Sequence, residues 1–340
     1  MPPARRSGER AEYASGGQSA EARLDALREE ASRTGRVTAP GARVAGGPIP
    51  EIGYYGRPIV KPAVWTWEIP LYFFVGGMAG MSAVVAAAAR LAESDLDLVR
   101  AALWLGVAGA VASPVLLILD LGRPTRFLHM LRVFKWRSPM SMGAWILLAF
   151  GAAVTAAAAL FEGTCRSAPG TAAYGAGLLL SGALWAAAVS GALLATYTGV
   201  LIGATATPAW HTHHRSLPLH FGVAGLGSAA AALILLHGPE RSLVALGVAA
   251  AAIETLFGAW IELSRNGAAD RALRHGWSGW TLRIAGLLAG PVALALWFAA
   301  PPWCGAIAFL AGALVSRYGW IAAGRASGRD PAAALSPQTD

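Results

Sequence analysis

The sequence predicts an all-α polytopic membrane protein, with eight transmembrane helices forming two parallel-repeat four-helix bundles. Three observations carry that reading. Of the 340 residues, 55% are hydrophobic and only 14% charged, and the mean hydropathy of +0.49 lies outside the usual balance of a soluble domain. Apolar stretches of about 20 residues, enough to cross a hydrocarbon core, recur eight times. The first half of the chain is also echoed by the second, in chain order.

Residues 1–64, rich in Arg, Glu, Ala, Gly and Pro, read as a solvated, largely disordered arm that a partner orders, with a short charged helix within Ala20 to Ser32. Arg5 and Arg6 form a twin-arginine pair, but no apolar segment follows at signal-peptide distance, so a cleaved signal is not expected. The spans fall at roughly 69–92, 99–120, 141–162, 175–204, 217–238, 242–263, 279–300 and 303–323. They divide into a first bundle over 65–210 and a second over 211–325, with a short tail at 326–340.

An even number of crossings puts both termini on one side. The connections there carry Arg123, Arg126, Arg132, Lys135, Arg137, Arg215, Arg265, Arg271 and Arg274, against Arg90, Arg100, Arg166 and Arg241 opposite. By the positive-inside rule the terminal side is cytoplasmic, which makes the expected location a bacterial inner membrane. The net charge of +8 is thereby explained by topology, and nucleic acid is not an expected partner; membrane lipid is.

The repeat aligns "IPLYFFVGG" at 69 with "LPLHFGVAG" at 217 without a gap. "RAALWLGVAGA" at 100 matches "RSLVALGVAAA" at 241, "LDLGR" at 119 matches "IELSR" at 261, and "GALLATYTGVLIGA" at 191 matches "GALVSRYGWIAAGR" at 312. Four crossings per unit keep both copies in one orientation, a parallel repeat. The polar residues pair as well: Tyr72 with His220, Asp120 with Glu262, and Tyr197 with Tyr318. These, with Glu68, Arg283 and Arg317, lie toward the terminal side, while Glu254 sits two turns inside Glu262 on span 6.

Each polar residue has two readings. Asp120 ends span 2, where the helix dipole disfavours a carboxylate. Either Arg123 or Arg126 simply neutralises it, or Asp120 is a proton acceptor tuned by Arg123. Glu254, an acid inside a span, costs about 2.5–3.5 kcal/mol unless neutral or paired. It pairs with Arg283 or Arg317, or it relays protons together with Glu262. His220 titrates near neutral pH at a span entrance or forms an interfacial hydrogen bond. "HTHH", with His211, His213 and His214, reads as a solvated loop, because no Cys or acid stands at ligand spacing. Trp65, Trp67, Trp136, Trp210, Trp277 and Trp280 read mostly as interfacial anchors, and "GGMAGMSA" at 76 as a close-packing face. The two cysteines, Cys165 and Cys304, supply neither an iron–sulfur cluster nor a metal site, and the histidines do not form the facing pair that haem needs. No haem, cluster or metal is expected in this chain.

"VWTWEIPLYFFVGGMAGMSA", "LDLGRPTRFLHMLRVFKWRSPMSMGAWIL" and "YTGVLIGATATPAWHTHHRSLPLHF" together resemble the NrfD / polysulfide reductase membrane-subunit family. The LDLGRP segment followed by S-P-M-S-x-G-x-W is the more specific part. The end of the arm, "YYGRPIVKPAVW", is similar to members that accompany formate dehydrogenase-like enzymes. The resemblance implies a haem-free subunit that exchanges electrons between a membrane quinone (menaquinone or ubiquinone) and a 4Fe-4S ferredoxin-like electron-transfer subunit. That subunit in turn serves a molybdopterin or tungstopterin catalytic subunit. At the matching positions it implies a site made by Glu68, Tyr72, Asp120, Arg123, His129 and Tyr197, with His220 as the second-bundle counterpart of Tyr72. His129 lies either beside the site or on the interfacial loop. Some family members meet a partner outside the cytoplasm, whereas the Lys/Arg distribution places this site inside. The alternative function is a proton- or ion-translocating protein without a redox partner, for which Glu254, Arg283 and Arg317 speak; a purely structural anchor is a third.

Overall fold

The computed structural model describes residues 65–121, 131–166, 171–264 and 267–335. Among them there is no strand, and eight helical segments are long and apolar enough to cross a membrane. Span 1 is Glu68–Leu91, span 2 Leu96–Leu121, span 3 Pro139–Arg166, span 4 Thr171–Gly203, span 5 Ser216–Leu236 and span 6 Arg241–Leu263. Span 7 is interrupted: an α-helix over Gly276–Leu287 passes through a π-turn over Leu288–Val292 into Ala293–Ala299. Span 8 is Pro302–Arg329, and short helices Pro208–Thr212, Arg271–Arg274 and Pro331–Leu335 lie on the terminal side.

The local reasons are visible in the chain. Spans 3 and 8 begin at Pro139 and Pro302, where the missing N–H of proline removes a donor that would have no helical acceptor. The eight crossings agree with the hydrophobic pattern, and the departures are two. Span 8 extends to Arg329, since the Ala/Gly-rich continuation of the helix packs on the terminal-side loops. Span 7 breaks where Gly290, at φ −98° and ψ −107°, precedes Pro291.

Spans 1 to 4 pack among themselves, span 1 against 2 and 4 and span 3 against 2 and 4; span 5 packs on 6 and 8, and span 7 on 8. The two groups meet where span 5 contacts spans 1 and 4 and span 8 contacts span 1. Burial ranks the spans accordingly: 67%, 72% and 61% of the apolar windows of spans 1, 5 and 8 are buried, against 22–39% for the other five. The core is therefore the seam between the two groups.

Small residues make that seam possible. A side chain on Gly80 would run into the backbone of Gly191 in span 4, and one on Gly191 into Gly80. Gly77 and Gly225 also meet between spans 1 and 5, less tightly: a Cβ on Gly225 would lie 3.0 Å from the Gly77 carbonyl oxygen, whereas one on Gly77 would make only ordinary contact, and Phe73 and Phe221 lie 6.2 Å apart between ring centres. Between apolar helices in lipid, close approach is what yields attraction, through dispersion contacts rather than through release of water. Around this core Trp67, Trp136, Trp277 and Trp280 are 57–84% exposed, as interfacial anchors are. Trp210 is not one of them: it is fully buried, stacked on Trp65 at 5.4 Å, and donates its indole N–H to the Trp320 carbonyl at 2.7 Å.

Gly80→Leu is expected to lower the thermal unfolding midpoint in detergent sharply, because overpacking costs about 1–3 kcal/mol even where side chains can yield and here the obstacle is backbone. Gly182→Leu, at a position where an added Cβ meets nothing, is expected to leave the midpoint within the scatter of the parent.

Candidate functional site

Two groups of polar side chains occupy the terminal-side half of the helices. The first lies where span 1 starts and span 2 ends. Asp120 Oδ1 accepts the backbone N–H of Thr66 at 3.1 Å and its hydroxyl at 2.7 Å. The same hydroxyl contacts Glu68 Oε2. A threonine hydroxyl has one proton to donate, so two carboxyl groups compete for it.

Tyr72 follows Glu68 by one helical turn on the same face and is buried, with its ring tilted against Phe73 at 5.6 Å. Its hydroxyl donates no hydrogen bond among the described residues. Ser113 of span 2 is buried with its Oγ unpartnered, and Gly76 lets the Tyr72 ring and Ser113 close in: a Cβ there would sit 3.3 Å from the ring and 3.4 Å from Ser113 Oγ. Tyr197, by contrast, is engaged, since its hydroxyl donates to the Pro139 carbonyl at the start of span 3 and its ring fills the space that Gly143 leaves. Tyr318 donates to the Trp67 carbonyl at 3.0 Å, which ties the end of span 8 to the start of span 1. Arg123 and His129 lie outside the described residues.

The second group lies among spans 5 to 8 around a cavity of about 350 Å³. His220, Glu254 and Ser316 form its polar end, Phe257, Leu282 and Trp320 part of its apolar wall, and Glu262 with Arg283 its outer rim. His220 stacks on Phe257 at 4.3 Å between ring centres, nearly parallel, and its Nε2 lies 3.3 Å from Ser316 Oγ. Its Nδ1 is 3.1 Å from Glu254 Oε1. That separation suits an ion pair, yet neither atom has a properly aligned hydrogen-bond partner. The two groups are close enough to attract electrostatically but are not aligned for a hydrogen bond, whose strength depends on alignment as much as on distance.

Glu254 does not pair with Arg283. Arg283 instead holds Glu262 through two bonds, Nε to Oε1 at 2.7 Å and a terminal nitrogen to Oε2 at 2.9 Å, the bidentate geometry that a guanidinium favours. Arg317 is buried, donates to the Phe221 carbonyl at 3.1 Å and places its guanidinium carbon 3.7 Å from the centre of the Phe221 ring. A desolvated cation over an aromatic face is stabilised by about 2 kcal/mol.

The loop containing His211, His213 and His214 is not solvated at its centre. His213 is buried, and its Nε2 lies 3.0 Å from Oδ1 of the fully buried Asp270. Asp270 Oδ2 accepts from Ser264 Oγ at 3.2 Å, and Trp260 and Trp320 present ring edges or faces to the imidazole at 5.4 and 5.8 Å. Sequence spacing missed this pair because its members lie 57 positions apart, on the span 4–5 and span 6–7 connections. On the opposite side, Asp95, His237 and Glu240 bring three ligand atoms within 4.8 Å of one another. His237 Nε2 is 3.1 Å from Glu240 Oε1 and 3.7 Å from Asp95 Oδ2, which ion pairing accounts for without a metal.

A family model described as polysulphide reductase, NrfD, matches residues 59–325, most of the chain, covering spans 1 to 7 and all but the last turn of span 8. No curated protein matches.

His213→Ala, which leaves the Asp270 carboxylate buried without its imidazole partner, is expected to destabilise the protein by about 3–5 kcal/mol. Thermal unfolding of the purified protein reads this out; a histidine in a solvated loop would give no change.

Proposed function

The chain belongs to the NrfD family, and on that footing we propose that it is the quinone-reactive membrane subunit of a multisubunit oxidoreductase. It exchanges electrons between a bilayer quinone, menaquinone or ubiquinone, and a 4Fe-4S ferredoxin-like subunit that serves a molybdopterin or tungstopterin catalytic subunit. The observation that carries this reading is the convergence of Glu68 and Asp120 on the Thr66 hydroxyl, one turn from the buried Tyr72.

Oxidation of a quinol to a quinone releases two protons and two electrons. The electrons leave for the partner, and the protons need bases at the ring oxygens. Tyr72, whose hydroxyl donates to nothing among the described residues, would hydrogen-bond a ring oxygen. Asp120 and Glu68 take up protons at the rim and pass them to the aqueous side. Arg123 and His129, from the LDLGRP stretch, complete the site; Tyr197 frames it through its bond to Pro139. The exposed run of Arg132, Val133, Phe134, Lys135, Trp136 and Arg137 offers a mixed apolar and positive surface beside it for the electron-carrying partner. The Lys/Arg asymmetry makes this the cytoplasmic side of a bacterial inner membrane.

Contacts between positions equated by the self-comparison, Phe73 with Phe221 and Gly77 with Gly225, support an internal repeat, because a two-fold axis between spans 1 and 5 brings equivalent residues together. His220 is then the counterpart of Tyr72. One observation favours a second reading, proton translocation: Glu254 is buried beside His220, two turns deeper than Glu262, in the position of an intramembrane relay with Arg317 behind it.

Asp120→Asn and Tyr72→Phe are each expected to lower quinone-linked turnover of the membrane-bound complex on the order of 10²-fold, the scale of a lost acid–base group, while the catalytic partner keeps its activity with a soluble electron acceptor. Unchanged quinone-linked turnover in both variants would sink the proposal.

A further inference from the structure

The cavity among spans 5 to 8 lies outside the Glu68–Tyr72–Asp120 group, and its construction is that of a ligand site. Its inner end is closed: His220 and Glu254 are 6% and 5% exposed. Its outer lip is open, for Ala259 and Glu262 of span 6 and Leu287 and Pro291 of span 7 are exposed. The opening therefore runs between spans 6 and 7 on the face turned away from the core.

Two glycines keep that opening clear. Gly258 of span 6 and Gly286 of span 7 both line the cavity, and a Cβ added to either meets no atom within 4 Å. The floor is set by Gly290, whose missing side chain lets the π-turn rest on Thr255, 3.1 Å from its Cα at the Cβ position. From the Glu262–Arg283 rim to Pro291 the slot covers eight residues of span 7, about 12 Å at the helical rise. It thus extends from the interface into the hydrocarbon layer, where the molecules able to enter sideways are lipid-soluble.

The walls say what shape is accepted. Phe257 lies parallel to His220, and Trp320 completes an aromatic face, which suits a flat ring. A volume of about 350 Å³ falls at the lower end of the usual range for small-molecule sites, about 300–1,000 Å³. His220 Nδ1 and Glu254 Oε1, both buried and without an aligned partner, meet at one end: an imidazole N–H donates to a carbonyl oxygen, and a carboxylate accepts from a hydroxyl.

We infer that this slot is a second quinone head-group site, entered laterally between spans 6 and 7 and read by His220 and Glu254. The inference rests on the quinone-reactive reading above and adds a site to it. Isoprenoid units trailing from the ring leave through the open lip into lipid, and the Glu262–Arg283 pair closes the aqueous end.

The test uses the purified complex with a photoreactive azido-naphthoquinone, mapping labelled peptides with and without excess unlabelled quinone. Labelling of the span 6–7 peptides that the unlabelled quinone displaces is expected. Gly286→Leu, which fills open space, should reduce it at least tenfold while leaving the labelling of span 1–2 peptides; Asp120→Asn should do the reverse. Label confined to spans 1 and 2, or span 6–7 label that excess quinone fails to displace, as for a bound lipid, overturns the second site alone. No displaceable label anywhere overturns the quinone reading with it. If Gly286→Leu does not yield monodisperse complex, Glu254→Gln provides the same comparison, with loss of displaceable span 6–7 label expected and its full retention counting against the site.

Discussion

Span 1 can lie at the centre of the molecule only because neither Gly80 nor Gly191 carries a side chain. The two backbones meet where any other residue would hold them apart, and Gly225 of span 5 comes nearly as close to the backbone of Gly77. In lipid, helices gain little from hiding apolar surface, so such contacts decide which helices are neighbours. The chemistry at the rim follows from this packing. With span 1 between spans 2, 4, 5 and 8, its first turn is brought against the exit of span 2, where Thr66 reaches Asp120, and against span 8, where Tyr318 reaches Trp67.

A carboxylate at the end of a helix faces unpaired carbonyls and needs compensation. Asp120 and Glu262, equated by the self-comparison, obtain it differently. Among the described residues Asp120 receives neutral donors, an amide and a hydroxyl; Glu262 receives a guanidinium in a two-bond clamp. Neutral donors bring no opposing charge, whereas a bidentate arginine offsets the charge of the acid and fixes its side chain. The equated positions thus hold an acid bonded to the start of span 1 in the first half and an acid that closes a cavity mouth in the second.

The positions of the spans were legible because hydropathy over about 20 residues reports burial in lipid directly. "GGMAGMSA" was legible too, since small residues in an apolar span have few other uses. What could not be read were partners distant in sequence. Thr66 carries no signal that it serves Asp120, 54 positions away, and the identity of the Arg283 partner depends on helix rotation, which moves each residue about 100° around the axis. His213 was misread for the same reason: polar residues in a connection look solvated unless the chain supplies a buried acid from elsewhere, here Asp270. The break in span 7 did have a signal, the Gly290–Pro291 pair inside an apolar run, but hydropathy averages over it.

That break shapes the cavity among spans 5 to 8. Pro291 lacks an N–H and cannot donate the regular helical bond to the Leu287 carbonyl, and here the chain widens into a π-turn. Gly312 of span 8 lets the backbone at Ala285 and Ala289 settle directly on it, which draws the terminal-side segment of span 7 toward span 8. At Gly290 the chain meets span 6 again, at Thr255. Between this contact and the Glu262–Arg283 clamp, spans 6 and 7 are held together at two levels and separated in between, where Gly258 and Gly286 offer nothing to fill the gap. Straightening span 7 would release the floor contact at Thr255, and a larger residue at position 312 would push the helix back across the gap. The slot is therefore held open by close packing on its far side.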